Sequence, residues 1–281
     1  MVGLQLLGPD SAVLHVYSRA IDGLLLCEAA TGRVLLPTDV GSCDCPFLDS
    51  HFLGIFLNSG GPGTRWWFTN VLTQIGLGYT FLFLLCGRKL KTQSLVAGGV
   101  LIGTWLLFVL YPSSGIDLQK GAPEVGVSAE WAQEHLEGVD PSWHKNANAA
   151  HAFDTWLLNL MPERAPFTGK DSEQIRRPFT ANPGGYQTLS FLPSLATMLF
   201  GLMCGELLRS KRSGSEKLKW MLVAGVAGLG LGWLLGVTGV SPVVKRIWTP
   251  SWTLLSTGWC ILILATLYWI IDIKGYQRWT F

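Results

Sequence analysis

Five stretches of this chain each run for roughly eighteen residues or more with very little charge, and about twenty apolar residues are what a helix needs to cross a bilayer. Backbone groups inside lipid must bond within their own segment, so each stretch should be a helix. Only 14% of the residues are charged, whereas soluble domains carry about 25%. The sequence therefore predicts an all-α, polytopic transmembrane helical bundle with about five complete spans, namely Phe68–Cys86, Ser94–Tyr111, Gln187–Leu208, Trp220–Val240 and Trp252–Ile273.

Basic residues are concentrated in the loops at one end of this predicted bundle. The short loops "GRKLKTQ" and "RSKRSGSEKLK" hold eight of them, whereas at the opposite end the stretch before the first span has Arg65 and the short loop before the fifth span has Lys245 and Arg246. Because cytoplasmic loops are rich in Lys and Arg, we expect the long loop 112–186 to lie outside the cytoplasm. The lipid bilayer is the expected partner. The net charge of +2 gives no indication of nucleic acid, and we expect none.

The front of the chain does not resemble the rest. Residues 1–50 have no basic segment followed by a long apolar core, so they do not form a signal peptide, and we treat them as an atypical leader before a membrane domain, 51–281. "FLDSHFLGIFLNS" is too short to span; it is either a re-entrant or interfacial segment or, as we favour, the second half of a truncated helix. Cys43, Cys45 and His51 lack a four-ligand spacing, so we predict no metal site.

Glycines at intervals of four in the fourth span, at Gly228, Gly232 and Gly236, predict close packing against another helix. Gly201 and Gly205 predict the same for the third span. The alternative is a helix thinned to admit a ligand, and we favour close packing.

The long loop contains a predicted amphipathic helix from Asn146 to Leu160, lying along the membrane surface. His151 and Asp154 are three residues apart on it, so a carboxylate-oriented imidazole, the arrangement of a general base, is one interpretation. The other, which we favour from spacing alone, is that both are solvated. His144 is a second candidate base, and Lys145 can contact an anionic group. The predicted apolar side of the helix holds Phe153, Trp156, Leu157 and Leu160.

"NPGGYQT", directly before the third span, is a second polar cluster. Asn182, Tyr186 and Gln187 offer amide and hydroxyl groups suited to a sugar or to a pantetheine amide, and Gly184 and Gly185 let the backbone turn close to a ligand. The alternative is a turn and helix cap without a ligand.

A third cluster, "SPVVKRIWTPSW", lies in the loop before the fifth span. Lys245 and Arg246 can hold a phosphate, a carboxylate or a lipid headgroup, and Trp248 and Trp252 are typical interfacial anchors or substrate contacts.

Three segments of the chain resemble, in order and spacing, the heparan-α-glucosaminide N-acetyltransferase family. They are "NVLTQIGLGYTF", "NPGGYQTLSFLPSLATMLFGLMCGELL" and "SPVVKRIWTPSWTLLSTGWCILILATLYWIIDIKG". The stretch from Lys145 to Pro162 is similar to the bacterial branch, and the match covers roughly Phe52 to Gly275. The resemblance implies a membrane enzyme that transfers acetyl from acetyl-CoA to an amino sugar, with a small-molecule or glycan acceptor, in a bacterial inner membrane. Lys145, Asn146 and the residues of the two later clusters are its candidate substrate contacts.

The same resemblance implies a chain truncated at both ends. The family's first helix carries an "SxDxFRG"-type motif and is followed by a loop with the histidine associated with acetyl transfer, and neither occurs here. The family also continues beyond the "DIKG" position. Three alternatives therefore remain: a catalytically incomplete acyltransferase, a transporter-like module and a non-catalytic membrane module. A second copy of the chain is a candidate partner.

Overall fold

The computed structural model describes residues 68–161 and 178–276 of the protein. The predicted leader, "FLDSHFLGIFLNS" and Arg65 lie outside these ranges. The described residues form α-helices joined by short 3₁₀ turns and contain no strand. The α-helices are α1 (Val71–Leu85), α2 (Leu90–Leu110), α3 (Ala129–Leu136), α4 (Ala149–Leu160), α5 (Phe191–Arg209), α6 (Gly214–Val237) and α7 (Pro250–Tyr268).

Four helical segments of the described ranges are long and apolar enough to cross a membrane: Leu90–Leu110, Thr188–Arg209, Gly214–Val237 and Pro250–Ile273. They correspond to the last four predicted spans. The first predicted span contains α1, whose 15 residues fall short of the roughly 20 that a crossing requires. The helical bundle is confirmed, and its four long helices fit a multi-pass integral membrane protein.

Large apolar side chains are exposed along these helices. Leu95 is 66% exposed, Ile102 61%, Trp233 61% and Ile263 58%. Soluble monomers rarely expose such continuous apolar surface. Contact with lipid tails explains it, because the tails replace the apolar neighbours that a soluble core would supply.

The helix α5 packs against α1, α2 and α7. The helices α1, α2 and α5 share one cluster of buried apolar side chains, formed by Leu82, Ala97, Leu101, Leu195, Ala196 and Leu199. This arrangement brings the start of α5, and with it "NPGGYQT", beside the start of α1.

Close packing of the fourth predicted span is confirmed between α6 and α7 for Gly228 and Gly232, whereas Gly236 faces the side chain of Val243 in the loop before α7. A Cβ atom on Gly232 would lie 2.7 Å from the backbone nitrogen of Leu255, and one on Gly228 would lie 3.1 Å from the carbonyl oxygen of Leu254. Gly258, on α7, faces α6 in the same way, 2.7 Å from the nitrogen of Leu229. At Gly232 and Gly258 the two backbones approach so closely that a side chain would force them apart, and at Gly228 the contact would be tight.

The prediction for Gly201 and Gly205 is wrong within the described ranges. Apart from the adjoining residues of α5 itself, no described atom lies within 4 Å of a Cβ built on either residue. Spacing alone cannot distinguish a glycine that faces a helix from one that does not, because it does not specify how the helix is rotated.

The loop between α2 and α5 folds over one end of the bundle, called here the loop end. Phe108 of α2 stacks on Trp143, with ring centroids 4.8 Å apart, and both side chains are buried. The loop has its own small apolar core, formed by Ile116, Ala122, Val127, Ala132 and Leu136. These contacts attach the loop firmly to the spans beneath it.

The predicted loop helix begins later than expected. It starts at Ala149, because the side chain of Asn148 accepts a hydrogen bond from the backbone nitrogen of His151 and caps the helix. Its inner face buries Ala150, Asp154 and Leu158. On the other side, Trp156 is 60% exposed, as the predicted apolar face requires; contact of that face with lipid stays a prediction.

Candidate functional site

The three polar clusters of the sequence meet at the loop end of the bundle. Asn146 connects the first two: its Nδ2 donates to the carbonyl oxygens of Val125 and Asn182, both at 2.8 Å. Its backbone has a φ of 53°, a left-handed conformation that asparagine tolerates better than most residues. Arg246 connects the second and third clusters, since its guanidinium donates to the carbonyl oxygen of Gly184 at 2.9 Å.

A second link passes through Gln187, which is almost completely buried. Its Nε2 donates to Oδ1 of Asn148 at 2.9 Å, and its backbone oxygen accepts from Nε2 of Gln74 on α1 at 3.0 Å. Gln74 and Asn148 are absent from the sequence-based set of site residues. Gln74 had a usable signal, because a glutamine inside an apolar span usually has a specific partner.

Asp154 does not pair with His151. Its two carboxylate oxygens accept from the backbone nitrogen of Thr188, at 3.2 and 3.0 Å, and no ion pair joins it to His151 within the described ranges. Burial raises the pKa of Asp154 to about 6, although the hydrogen bonds from Thr188 oppose the shift. The carboxyl group therefore positions the start of α5, and the carboxylate–imidazole pair is not formed. The favoured interpretation, that both side chains are solvated, is also wrong for Asp154, which is 1% exposed.

His151 is half-buried beside Phe179, with ring centroids 6.5 Å apart. Its backbone nitrogen is used in the cap by Asn148, whereas no hydrogen bond to its ring nitrogens is found in the part of the chain that the structure describes. Burial lowers the pKa of His151 below its usual value. At neutral pH the imidazole is thus neutral, the form that accepts a proton.

His144 is held by two backbone groups. Its Nδ1 accepts from the backbone nitrogen of Ile116 at 3.0 Å, and its Nε2 lies 3.0 Å from the carbonyl oxygen of Val139, to which it donates in the corresponding tautomer. The side chain is 5% exposed. Both ring nitrogens are therefore occupied in fixing the fold of the loop, and neither is left for a substrate.

Two cationic side chains, those of Lys145 and Arg246, contact the Gly184–Gly185 turn. Lys145 passes 3.2 Å from the position of a Cβ on Gly185, while Arg246 bonds to Gly184. Burial, and to a smaller extent the positive charge of Arg246, lowers the pKa of Lys145. Neither side chain forms an ion pair with a carboxylate of the described residues. An anion between them would relieve the repulsion of the two like charges.

Lys145 is also held by neighbours in the loop. Its ammonium group donates to the carbonyl oxygen of Gly126 at 3.3 Å and lies 4.8 Å from the centroid of the Trp131 ring. Lys245, next to Arg246, is exposed.

The turn of "NPGGYQT" is built by Asn182, as the ligand-free alternative predicts. Its Oδ1 accepts from the nitrogen of Gly184 at 2.8 Å, and its Nδ2 donates to Oγ1 of Thr69 at 3.0 Å. Gly185 has a φ of 74°, a conformation that a side chain would strain. Tyr186, next in the chain, is partly exposed and so remains available to a ligand.

Four buried polar atoms in or directly beside the three clusters have no hydrogen-bond partner among the described residues: Oδ1 of Asn146, Oε1 of Gln187, Oγ of Ser190 and Nε1 of Trp252. Buried polar groups are nearly always paired, so these atoms lack a partner that such groups usually have. Trp248, in contrast, donates from Nε1 to Oγ1 of Thr197 at 3.2 Å and anchors its loop to α5.

Within the described ranges, no three His, Cys, Asp or Glu side chains are grouped so as to hold a metal ion. The chain matches no protein-family model, and no curated protein matches it significantly.

Proposed function

We propose that this protein is an integral membrane acyltransferase that moves an acetyl group from acetyl-CoA to the amine of an amino sugar, on the non-cytoplasmic side of a bacterial inner membrane. The proposal rests on one observation. The segments that resemble the N-acetyltransferase family bond to one another at the loop end, around buried polar atoms without partners, close to a half-buried neutral histidine.

The reaction requires a base and an oxyanion donor. The amine nitrogen attacks the thioester carbonyl carbon, the C–S bond breaks, and the thiol of coenzyme A leaves. A general base takes the proton that the amine loses and passes it to the departing sulfur, which leaves as the thiol. The negative charge that develops on the carbonyl oxygen requires a hydrogen-bond donor. His151 fits the base, because its imidazole is neutral and its ring nitrogens have no hydrogen-bond partner among the described residues. Trp252 Nε1 fits the donor, because it is buried and likewise has no partner within the described ranges.

Substrate recognition follows from the remaining groups. Lys145 and Arg246 fit the phosphates of coenzyme A or an acidic acceptor, and Lys245 adds to the positive potential. The unpaired oxygens of Asn146 and Gln187 accept hydrogen bonds from amide or hydroxyl groups, both of which acetyl-CoA and an amino sugar present. Asp154, in this proposal, holds the start of α5 in position and does not act on the substrate.

The experiment is an acetyl-transfer assay with the purified protein in nanodiscs, using acetyl-CoA, a panel of amino sugars, and release of free thiol as the readout. We expect transfer by the wild type and a loss of about 10²–10⁴-fold in His151→Ala, the usual contribution of a general base. His135→Ala is the matched control, because His135 is an exposed histidine of the same loop, on α3.

Two outcomes would contradict the proposal at different levels. If His151→Ala transferred acetyl as fast as His135→Ala, the base assignment would be wrong and the activity would stand. If the folded wild type released no thiol with any amino sugar, the proposed activity would be wrong for this chain, and a non-catalytic membrane module would replace it.

A further inference from the structure

A groove of about 490 Å³ opens at the end of the bundle opposite the loop end, called here the basic end. Its walls come from α2, α5, α6 and α7, and most of the lining side chains are apolar. Its lining includes Phe200, Met203, Leu207, Trp220, Ala224 and Ile261, and its charged members are Glu206 and Arg212.

The two charged residues have different surroundings. Glu206 accepts a hydrogen bond at 2.8 Å from Nε2 of Gln93, a fully buried amide on α2. Arg212 is exposed, stacks over the ring of Trp220 at 5.6 Å from its centroid, and forms no ion pair with a carboxylate of the described ranges. The carboxylate is thus engaged inside the groove, while the guanidinium at its mouth keeps its donors.

The depth of the groove corresponds to one leaflet of a bilayer. Arg212 lies in the turn between the end of α5 at Arg209 and the start of α6 at Gly214, where the headgroups of a bilayer would lie. Ala224 is ten residues further along α6 than Gly214, which is about 15 Å at the rise of an α-helix. Half of a hydrocarbon core of about 30 Å is also about 15 Å.

Charge favours an anionic headgroup at this end. Lys89, Lys91, Lys211 and Lys217 lie in or beside the two turns that surround the mouth of the groove. Basic residues next to a membrane attract anionic lipids, and tryptophan side chains such as Trp220 are frequent at the headgroup level.

We propose that this groove binds an anionic phospholipid, with one acyl chain between α5 and α6 and the phosphate on Arg212. The site is independent of the acetyl-transfer proposal, because none of its residues belongs to the loop end. The lipid would fill a gap that the helices leave open and so fix the spacing of α5 and α6 at the basic end.

The test is native mass spectrometry of the delipidated protein with phosphatidylglycerol or phosphatidylcholine of the same chain length. We expect the wild type to retain one phosphatidylglycerol molecule more strongly than phosphatidylcholine. Arg212→Gln should weaken retention of phosphatidylglycerol about fivefold, the effect of one basic side chain at a membrane surface. Arg88→Gln is the control, because Arg88 is an exposed basic residue of the same end that does not line the groove.

A second pair of variants tests the chain-binding part. Ala224→Phe fills the groove and should reduce retention of phosphatidylglycerol with Arg212 intact. Ala227→Phe adds the same side chain one turn further along α6, at an exposed position outside the groove, and should leave retention unchanged.

The two results that overturn the proposal are clear-cut. Equal retention by Arg212→Gln and Arg88→Gln would mean that the lipid responds only to the overall charge of this end. Equal retention by Ala224→Phe and Ala227→Phe would mean that no acyl chain occupies the groove. Circular dichroism of each variant confirms that the helices remain folded.

Discussion

Substituting Gly232 by alanine should destabilise the α6–α7 pair. The new Cβ would lie 2.7 Å from the nitrogen of Leu255 and 2.8 Å from the carbonyl oxygen of Ser251. Both are backbone atoms and cannot rotate away, so the helices must separate. Overpacking of this kind costs about 1–3 kcal/mol, which exceeds the gain of up to about 1 kcal/mol from replacing glycine by alanine in a helix.

Gly230→Ala is the matched control on the same helix, because nothing lies within 4 Å of a Cβ there. It should be neutral or stabilising by up to about 1 kcal/mol. Gly228→Ala should fall between the two, since its nearest backbone contact is 3.1 Å. The free energy of unfolding in mixed micelles, followed by tryptophan fluorescence, gives the order. If Gly232→Ala were as stable as Gly230→Ala, the close approach of α6 and α7 would be refuted.

Three further predictions concern the loop end. Burial raises the pKa of Asp154 to about 6, so the folded protein retains a proton that the unfolded chain releases above its ordinary value of 3.8. The resulting stabilisation is present below pH 4 and is lost as the pH rises through 6, a change of about 3 kcal/mol in the free energy of unfolding. Denaturant titrations between pH 4 and 7 should show that this free energy depends less on pH in Asp154→Asn than in the wild type. Asn146→Ala should lose two hydrogen bonds and also strain the backbone, whereas Asn146→Gly should lose only the bonds, so alanine should be less stable by about 1–2 kcal/mol in the same titration. Because burial lowers the pKa of His151, acetyl transfer should persist as the pH falls to 6.5 and decline below that value in a pH–rate profile.

Each of these predictions has a contradicting result. A pH profile of Asp154→Asn that is as steep as the wild type would place the titration on another group. Equal stability of the two Asn146 variants would exclude backbone strain there. A decline in rate that begins well above pH 6.5 would contradict a buried neutral His151 as the base.

Apolar length and composition made the helical bundle predictable. The last four spans appear where the sequence places them, since only helices satisfy the backbone in lipid. The close packing of Gly228 and Gly232 on α7 was also predictable, because their spacing puts both on one face of α6. Gly201 and Gly205 have the same spacing and face no described atom, because packing depends on the rotation of each helix about its axis.

The sequence predicted which segments form the candidate site. It did not predict which residues of those segments form hydrogen bonds with one another. That the three polar clusters would share one end of the bundle followed from the order of the spans. That Asp154 would bond to Thr188 in place of His151 did not follow, since the partner lies 34 residues away. The role of Asn148 as helix cap was also missed, because neighbouring asparagines in "NANAA" offer several possible starts.

The sequence by itself determined that this chain forms long apolar helices and which of its loops are polar or basic, because those properties depend only on local composition and length. The tertiary structure alone decided which polar atoms remain unpaired when the chain is folded. Among the described residues, it buries one polar atom of Asn146, of Gln187 and of Trp252 without a hydrogen-bond partner. It also occupies both ring nitrogens of His144 and leaves those of His151 without a described partner. Hydrogen bonds between distant segments make that selection, and no local pattern encodes it.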